Sequence, residues 1–183
     1  MRVPNKAPTI VGFDPGFANF GFAVANLEGR VSNCGVFRTK KADKKHAVYA
    51  SDDNAQRIRE LTRSIATLLN HYRPVVIAIE SQSWPRNASA ATKVAMSWGM
   101  VVALAEERQI PMIQITPQNV KVATVGHKKA SKEEVKAWAI QEHGSVLAAS
   151  LQELGALYEH AADACAILHA ARTSDIFRAI ARA

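Results

Sequence analysis

Only two of the 183 residues are cysteine, Cys34 and Cys165. Two thiols cannot build a disulfide framework or a cysteine-rich zinc site, and they read as core thiols of a reduced, cytoplasmic protein. Long hydrophobic runs are missing as well. The longest, "VAMSWGMVVALA" at 94–105, is bounded by Lys93 and Glu106 and falls short of the about 20 residues that a membrane span needs. The opening "MRVPNKAP" is basic and proline-broken with no apolar stretch behind it, which argues against a secretory signal. No repeat, linker or low-complexity tract is visible. Acidic residues are in deficit, 16 against 23 basic ones, for a net charge of +7 and a pI near 9.6. Such a balance favours a polyanionic partner, most often nucleic acid.

What is present reads as one domain over 9–183, preceded by a flexible basic segment at 1–8. Three β-like runs come first (10–13, 20–26 and 31–37), with "NLEGRV" as a hairpin turn between the last two. A polar loop holding Lys40, Lys41, Lys44 and Lys45 follows. Ile58, Leu61, Ile65, Leu68 and Leu69 then recur at helical spacing, predicting an amphipathic helix over 53–71. "RPVVIAIE" (73–80) has the continuous apolar pattern of a strand buried on both faces. A helix rich in small residues is expected at 87–108, a strand at 111–116 and a short helix at 117–124. "SKEE" at 131–134 fits a capping box opening a helix to about 143. A final helix is expected from 159 to near the C-terminus. The order βββαβαβαα gives an α/β fold, a mixed sheet with helices on both faces.

Asp14 and Glu80 each close a strand-like apolar run ("TIVGFD", "VVIAIE") at its carboxyl end, where open α/β sheets place their ligand crevices. In neighbouring parallel strands the two carboxylates would lie side by side and repel unless protons or a cation intervened. Taken singly, either acid also reads as a solvated strand end or a cap. "EHAADACA" sets His160 and Asp163 three residues apart, on one helix face among alanines that would let the helix approach the sheet closely. Taken singly again, His160 reads as a surface imidazole and Asp163 as a partner of the helix dipole. Together the four make a hard donor set suited to Mg²⁺, with Mn²⁺ as a substitute. A carboxylate cluster holding two such ions about 4 Å apart is the arrangement for in-line phosphoryl displacement. Glue between these residues would come from the fold; Glu159, pointing about 100° away from His160, reads as solvated.

"GFDPGFANFGFAV", "IAIESQSWPRNASAATKVAMSWGMVVA", "ITPQNVKVATVGHKKASKEEVK" and "EHAADACAILHA" together resemble the RuvC Holliday-junction resolvases, in order and spacing, over about residues 9–171. The resemblance implies an RNase H-like fold with a mixed five-stranded sheet, a homodimer, and Mg²⁺-dependent paired nicking of four-way DNA junctions in strands of like polarity. It implies Asp14, Glu80 and Asp163 as metal-binding acids and His160 at the fourth position, where some members carry Asp; the histidine either binds metal or orients water. It implies that Lys121 and Lys132 contact DNA beside the site; by their charge alone Arg86, Lys128, Lys129 and the four-lysine loop (Lys40, Lys41, Lys44, Lys45) are further candidate phosphate contacts. Some or all of these cations read equally as solvated side chains. Members of the family place an aromatic residue in the junction centre. Ser83 stands at the matching offset here and Trp84 one later, so Trp84 either unstacks bases or packs within its loop.

Two other functions are compatible with the residues alone: a related nuclease acting on other branched DNA or on structured RNA, and a non-catalytic junction binder. The second has no use for clustered carboxylates, which repel phosphate. A bacterial cell or a phage-infected host is the expected cytoplasmic setting. The apolar side chains of Ala91, Ala95, Met96, Trp98 and Met100 exceed what one helix stripe needs for its own core, which suggests helix 87–108 as the dimer interface.

Overall fold

Apolar residues that alternate or run unbroken become strands, and those recurring every third or fourth position become helices. In the computed structural model, which describes residues 7–43, 49–82 and 87–180, five strands form one sheet. They are β1 (Thr9–Asp14), β2 (Asn19–Asn26), β3 (Val31–Arg38), β4 (Val76–Glu80) and β5 (Met112–Ile115). Their order across the sheet is β3-β2-β1-β4-β5. The first three run antiparallel as a meander, while β4 lies parallel to β1 and β5 parallel to β4. This is the expected mixed five-stranded sheet. Most of the 1–8 segment falls outside the described residues.

Side-chain parity divides the core in two. Val11, Phe13, Phe20, Phe22, Val24, Ile77 and Ile79 face one way, against α1 (Ala50–Tyr72) and α2 (Ala88–Glu107). Ile10, Ala23, Ala25, Val76, Ala78, Ile113 and Ile115 face the other way. There they meet α3 (Pro117–Val125), α4 (Lys132–Leu154) and α5 (Tyr158–Arg172). A short α6 (Asp175–Ile180) follows, burying Phe177. The acids at the ends of β1 and β4 share the even parity of Ile10 and Ala78 and therefore point to the α5 side.

Local chemistry sets the boundaries. α1 stops because Arg73 adopts a left-handed conformation (φ 48°) and returns its N–H to the Leu69 carbonyl at 2.8 Å, so β4 begins three residues later than the apolar run suggested. Thr116 caps α3 by accepting from the Asn119 N–H at 3.1 Å, with Pro117 in the first turn. The capping box forms as expected. Ser131 Oγ accepts from the Glu134 N–H at 3.1 Å, and Glu134 Oε2 accepts from the Ser131 N–H at 2.7 Å.

Two helix ends differ from expectation. α4 does not stop near 143 but kinks at His143 (φ −128°, ψ 18°) and continues to Leu154. Gly144 stays out of the left-handed region that would close a helix, and Gly155 (φ 54°) takes that role instead. The last helix is two helices. The Thr173 and Ser174 hydroxyls donate to the Ala170 and Ala171 carbonyls, closing α5, and Ser174 Oγ then accepts from the Phe177 N–H to open α6. α2 also exceeds the 94–105 run. With 20 residues and a mean hydropathy of 1.3 it has the length and composition of a membrane span, yet it packs on α1 and the sheet through Val101, Leu104 and Ala105.

Candidate active site

Asp14 and Glu80 end adjacent parallel strands, one register step beyond the Phe13–Ile79 pair. α5 brings the remaining groups down onto them. Its alanines are one half of the fit, and the other half is glycine on the sheet. A Cβ on Gly21 would stand 2.1 Å from the His160 carbonyl oxygen, and one on Gly12 would stand 2.6 Å from that of Ala164. Gly21 is the cross-strand neighbour of Asp14, so the bare backbone next to the acid is what admits the helix. Sequence reading noticed the alanines and missed these glycines, whose signal was their position inside strands.

The consequence is a tight cluster. His160 Nδ1 lies 2.8 Å from Asp14 Oδ2. One donor atom each from Asp14, His160 and Asp163 falls within a 4.8 Å circle. Glu80 stands outside that circle but lines the same cavity of about 380 Å³, with Lys121, Lys132, Pro117, Val120 and Val135. Burial, then the charges of Asp14 and Asp163, push Glu80 up to about 7. Burial and the charge of Asp14 push Asp163 up to about 6, against the pull of Lys132 and His160. The Asp14 hydrogen bond raises His160 despite burial, which works the other way. Two acids held above their ordinary range by burial first, and then by the charge of Asp14, form a site short of positive charge. Its donors are hard oxygens plus an imidazole, and a His160 anchored to Asp14 through Nδ1 has Nε2 left to offer; this set fits a divalent cation.

Both expected lysines reach the cavity. Lys132 opens α4, and its ammonium lies 3.6 Å from Asp163 Oδ2 and 3.7 Å from Glu159 Oε2. Glu159 is therefore not simply solvated. The first turns of α4 and α5 lie side by side, an adjacency the spacing within α5 could not reveal. Lys129 is exposed in the α3–α4 turn, while Lys128 borders a separate hollow with Gln118, Val122 and Ser174. Lys40 and Lys41 are exposed. Trp84, Arg86, Lys44 and Lys45 lie outside the described residues.

A second group escaped the sequence reading. Arg57 is buried on α1, 3.7 Å from Asp53, and stacks 4.5 Å over the Phe17 ring. Its Nε donates to Thr39 Oγ at 2.9 Å, and that hydroxyl donates to the Phe17 carbonyl at 2.8 Å. These bonds clamp the Asp-Pro-Gly-Phe turn that follows Asp14. The signal was an arginine in register with Leu61, Ile65 and Leu68 on an apolar stripe.

Residues 10–170 match a protein family described as crossover junction endodeoxyribonuclease RuvC. Curated proteins of that name are similar. The one from Pseudothermotoga lettingae is 31% identical over 127 residues, covering 69% of this chain and 75% of its own, and the one from Thermomicrobium roseum is 33% identical over 131, covering 69% and 74%. Among solved structures, Thermus thermophilus RuvC in complex with Holliday junction substrate aligns with a TM-score of 0.68 at 25% identity, covering 93% of this chain and 94% of that one. The yeast mitochondrial Holliday junction resolvase shares the fold, with a TM-score of 0.63 at 20% identity over 98% and 83% of the two chains.

Proposed function

We infer the function from the premise that this chain belongs to the RuvC family of crossover junction endodeoxyribonucleases, with its RNase H-like fold. It is a structure-selective, metal-dependent DNA endonuclease that resolves four-way junctions by nicking two strands of like polarity. The observation that carries this reading is the meeting of Asp14, Glu80, His160 and Asp163 beneath Lys121 and Lys132 in one cavity.

Asp14, Glu80, Asp163 and the free Nε2 of His160 would hold Mg²⁺, or Mn²⁺ in its place, as a pair of ions at each site. Bound there, the metal would supply a nucleophilic water and stabilise the leaving 3′ oxygen. The protein's own part is to fix the donors and to attract phosphate. Asp14 holds the His160 ring by its Nδ1, so the imidazole cannot rotate away. Lys121 and Lys132 stand at the cavity wall as point charges for the phosphates flanking the cut. Val120, Val135 and Ile167 line the same cavity, and apolar walls strengthen each charge interaction by lowering the local dielectric. A purely architectural binder would gain nothing from two acids raised by burial and by the charge of Asp14.

Two opposed strands must be cut and the described residues of one chain carry one such cluster, so the working unit is a homodimer with four-way junction DNA as its substrate. The site of action is the cytoplasm, where that DNA is found. Incubating the protein with a synthetic mobile four-way junction, with Mg²⁺ and with chelator, and mapping nicks on every strand tests the reading. The expected result is paired nicks in Mg²⁺ alone. Equal cleavage of structured RNA, or binding without nicks in any divalent metal, would overturn it.

A further inference from the structure

We propose that Glu159 is a positioning residue for Lys132. It gives the ammonium a second anchor beside the acidic cluster, so that a cation arriving at Asp163 moves Lys132 onto Glu159 rather than competing with it. The inference rests on the reading of the cavity as a metal-dependent nuclease site.

Lys132 stands in an unusual place. It is the first residue of α4, where the helix dipole disfavours a cation, and its ammonium is nonetheless turned into the cavity. Two acids hold it there, Asp163 at 3.6 Å and Glu159 at 3.7 Å. The acids are four residues apart on α5, one turn from each other on the same face. They differ in setting. The Asp163 side chain is 25% exposed and belongs to the cluster with Asp14 and His160, whereas the Glu159 side chain is 37% exposed and does not line the cavity. Glu159 is not among the residues whose donor atoms make up that cluster; its ion pair is with the lysine, and its charge also reaches His160 and Lys136.

A divalent ion and an ammonium cannot share one buried carboxylate without strong repulsion. A lysine with Asp163 as its one partner would resist the ion while it stayed and be lost to solvent when it left. With Glu159 one turn away, the flexible four-carbon stem can pivot between acids. The ammonium then remains at the cavity wall, where a phosphate oxygen would approach.

The test is a double-mutant cycle on metal affinity of the protein alone, without DNA, titrating Mn²⁺ and following the free ion by electron paramagnetic resonance. Lys132→Met should change Mn²⁺ affinity little while Glu159 is present, because the ammonium already has Glu159 to move to. Glu159→Gln should weaken it about two- to fivefold, the range set by one partly exposed ion pair. In the Lys132→Met background, Glu159→Gln should have almost no effect, because its influence passes through the lysine. Equal weakening in both backgrounds would show that Glu159 acts on the metal directly and would overturn the proposal.

A second readout separates positioning from mere surface charge. Single-turnover nicking at saturating Mg²⁺ should slow in Glu159→Gln with junction affinity little changed, and Glu159→Asp should restore most of the rate. A rate equal to wild type, or no rescue by Asp, counts against the proposal. Failure of the wild type to nick junctions in Mg²⁺ would instead remove the nuclease reading itself, so the two failures are told apart.

Discussion

At the scale of single residues, function rests on charges placed where burial and repulsion oppose them. Asp14→Asn should reduce junction cleavage by about 10²–10³-fold, the scale of losing one preorganised electrostatic group, while junction binding stays or tightens because an anion facing phosphate is gone. Nick counting and gel-shift affinity on the same preparation check both halves. His160→Asp should keep Mg²⁺-dependent activity, and His160→Ala should lose most of it. An Ala variant as active as wild type would leave Asp163 as the only contribution of α5.

Protonation of the same acids links stability to pH. Glu80 is raised to about 7 from 4.5, and Asp163 to about 6 from 3.8. An acid with a higher pKa folded than unfolded makes the folded state bind more protons across that window. Stability therefore falls as pH rises through it, by about 1.4 kcal/mol for each pH unit separating a group's folded and unfolded pKa. A divalent ion reverses the loss by replacing the protons. The gain in Tm from Mg²⁺ over chelator should thus be larger at about pH 8 than at about pH 5, measured by calorimetry. An equal gain at both values would remove these acids from the metal site.

At the scale of elements, the decisive contact is α5 against β1 and β2. Gly21→Ala would place a methyl group 2.1 Å from a backbone oxygen that cannot rotate aside, so the helix must retreat. Overpacking of this kind costs about 1–3 kcal/mol. A displacement near 1 Å between His160 and Asp14 costs roughly 10²-fold in rate. We expect a folded variant with lowered Tm, weakened Mn²⁺ binding and nicking reduced about 10²-fold, checked by thermal melt and single-turnover cleavage. Wild-type nicking in this variant would mean that the close approach does not serve the site. The Arg57 clamp acts on the other side of Asp14 in the same sense: β1 ends in a turn whose Phe17 is pinned from α1 and from Thr39, just past β3.

At the scale of the whole molecule, the one such cluster among the described residues calls for a second copy for a two-strand cut. α2 buries only Ser97, Val101, Leu104 and Ala105 among its 20 residues. Ala95 is exposed, and Met96, Trp98 and Met100 are half-covered. A C₂ pairing through this helix would cover that apolar face and set the two sites in symmetry. Sedimentation at micromolar concentration should give twice the chain mass, and Ala95→Glu should give monomers that nick single strands without pairing the cuts. A wild-type monomer nicking one strand at unrelated positions would make this a general structure-selective nuclease.

The sequence by itself determined what repeats with a local period or sits at a local boundary. Unbroken apolar runs in "TIVGFD" and "VVIAIE" marked the strands and put an acid at the carboxyl end of each. The three-residue step from His160 to Asp163 put both on one side of a helix, and "SKEE" marked where α4 begins. Each follows from backbone geometry within a few residues. The tertiary structure alone decided how far apart these pieces stand. Asp14 and His160, 146 positions apart, meet at 2.8 Å because Gly12 and Gly21 lack the methyl groups that would hold α5 off. Lys132 finds Glu159 because two helix starts lie together, and Arg57 reaches Phe17 across a buried gap between α1 and β1. Local pattern encodes which way a side chain points, whereas the distance between elements is set by the volumes that meet at their contact.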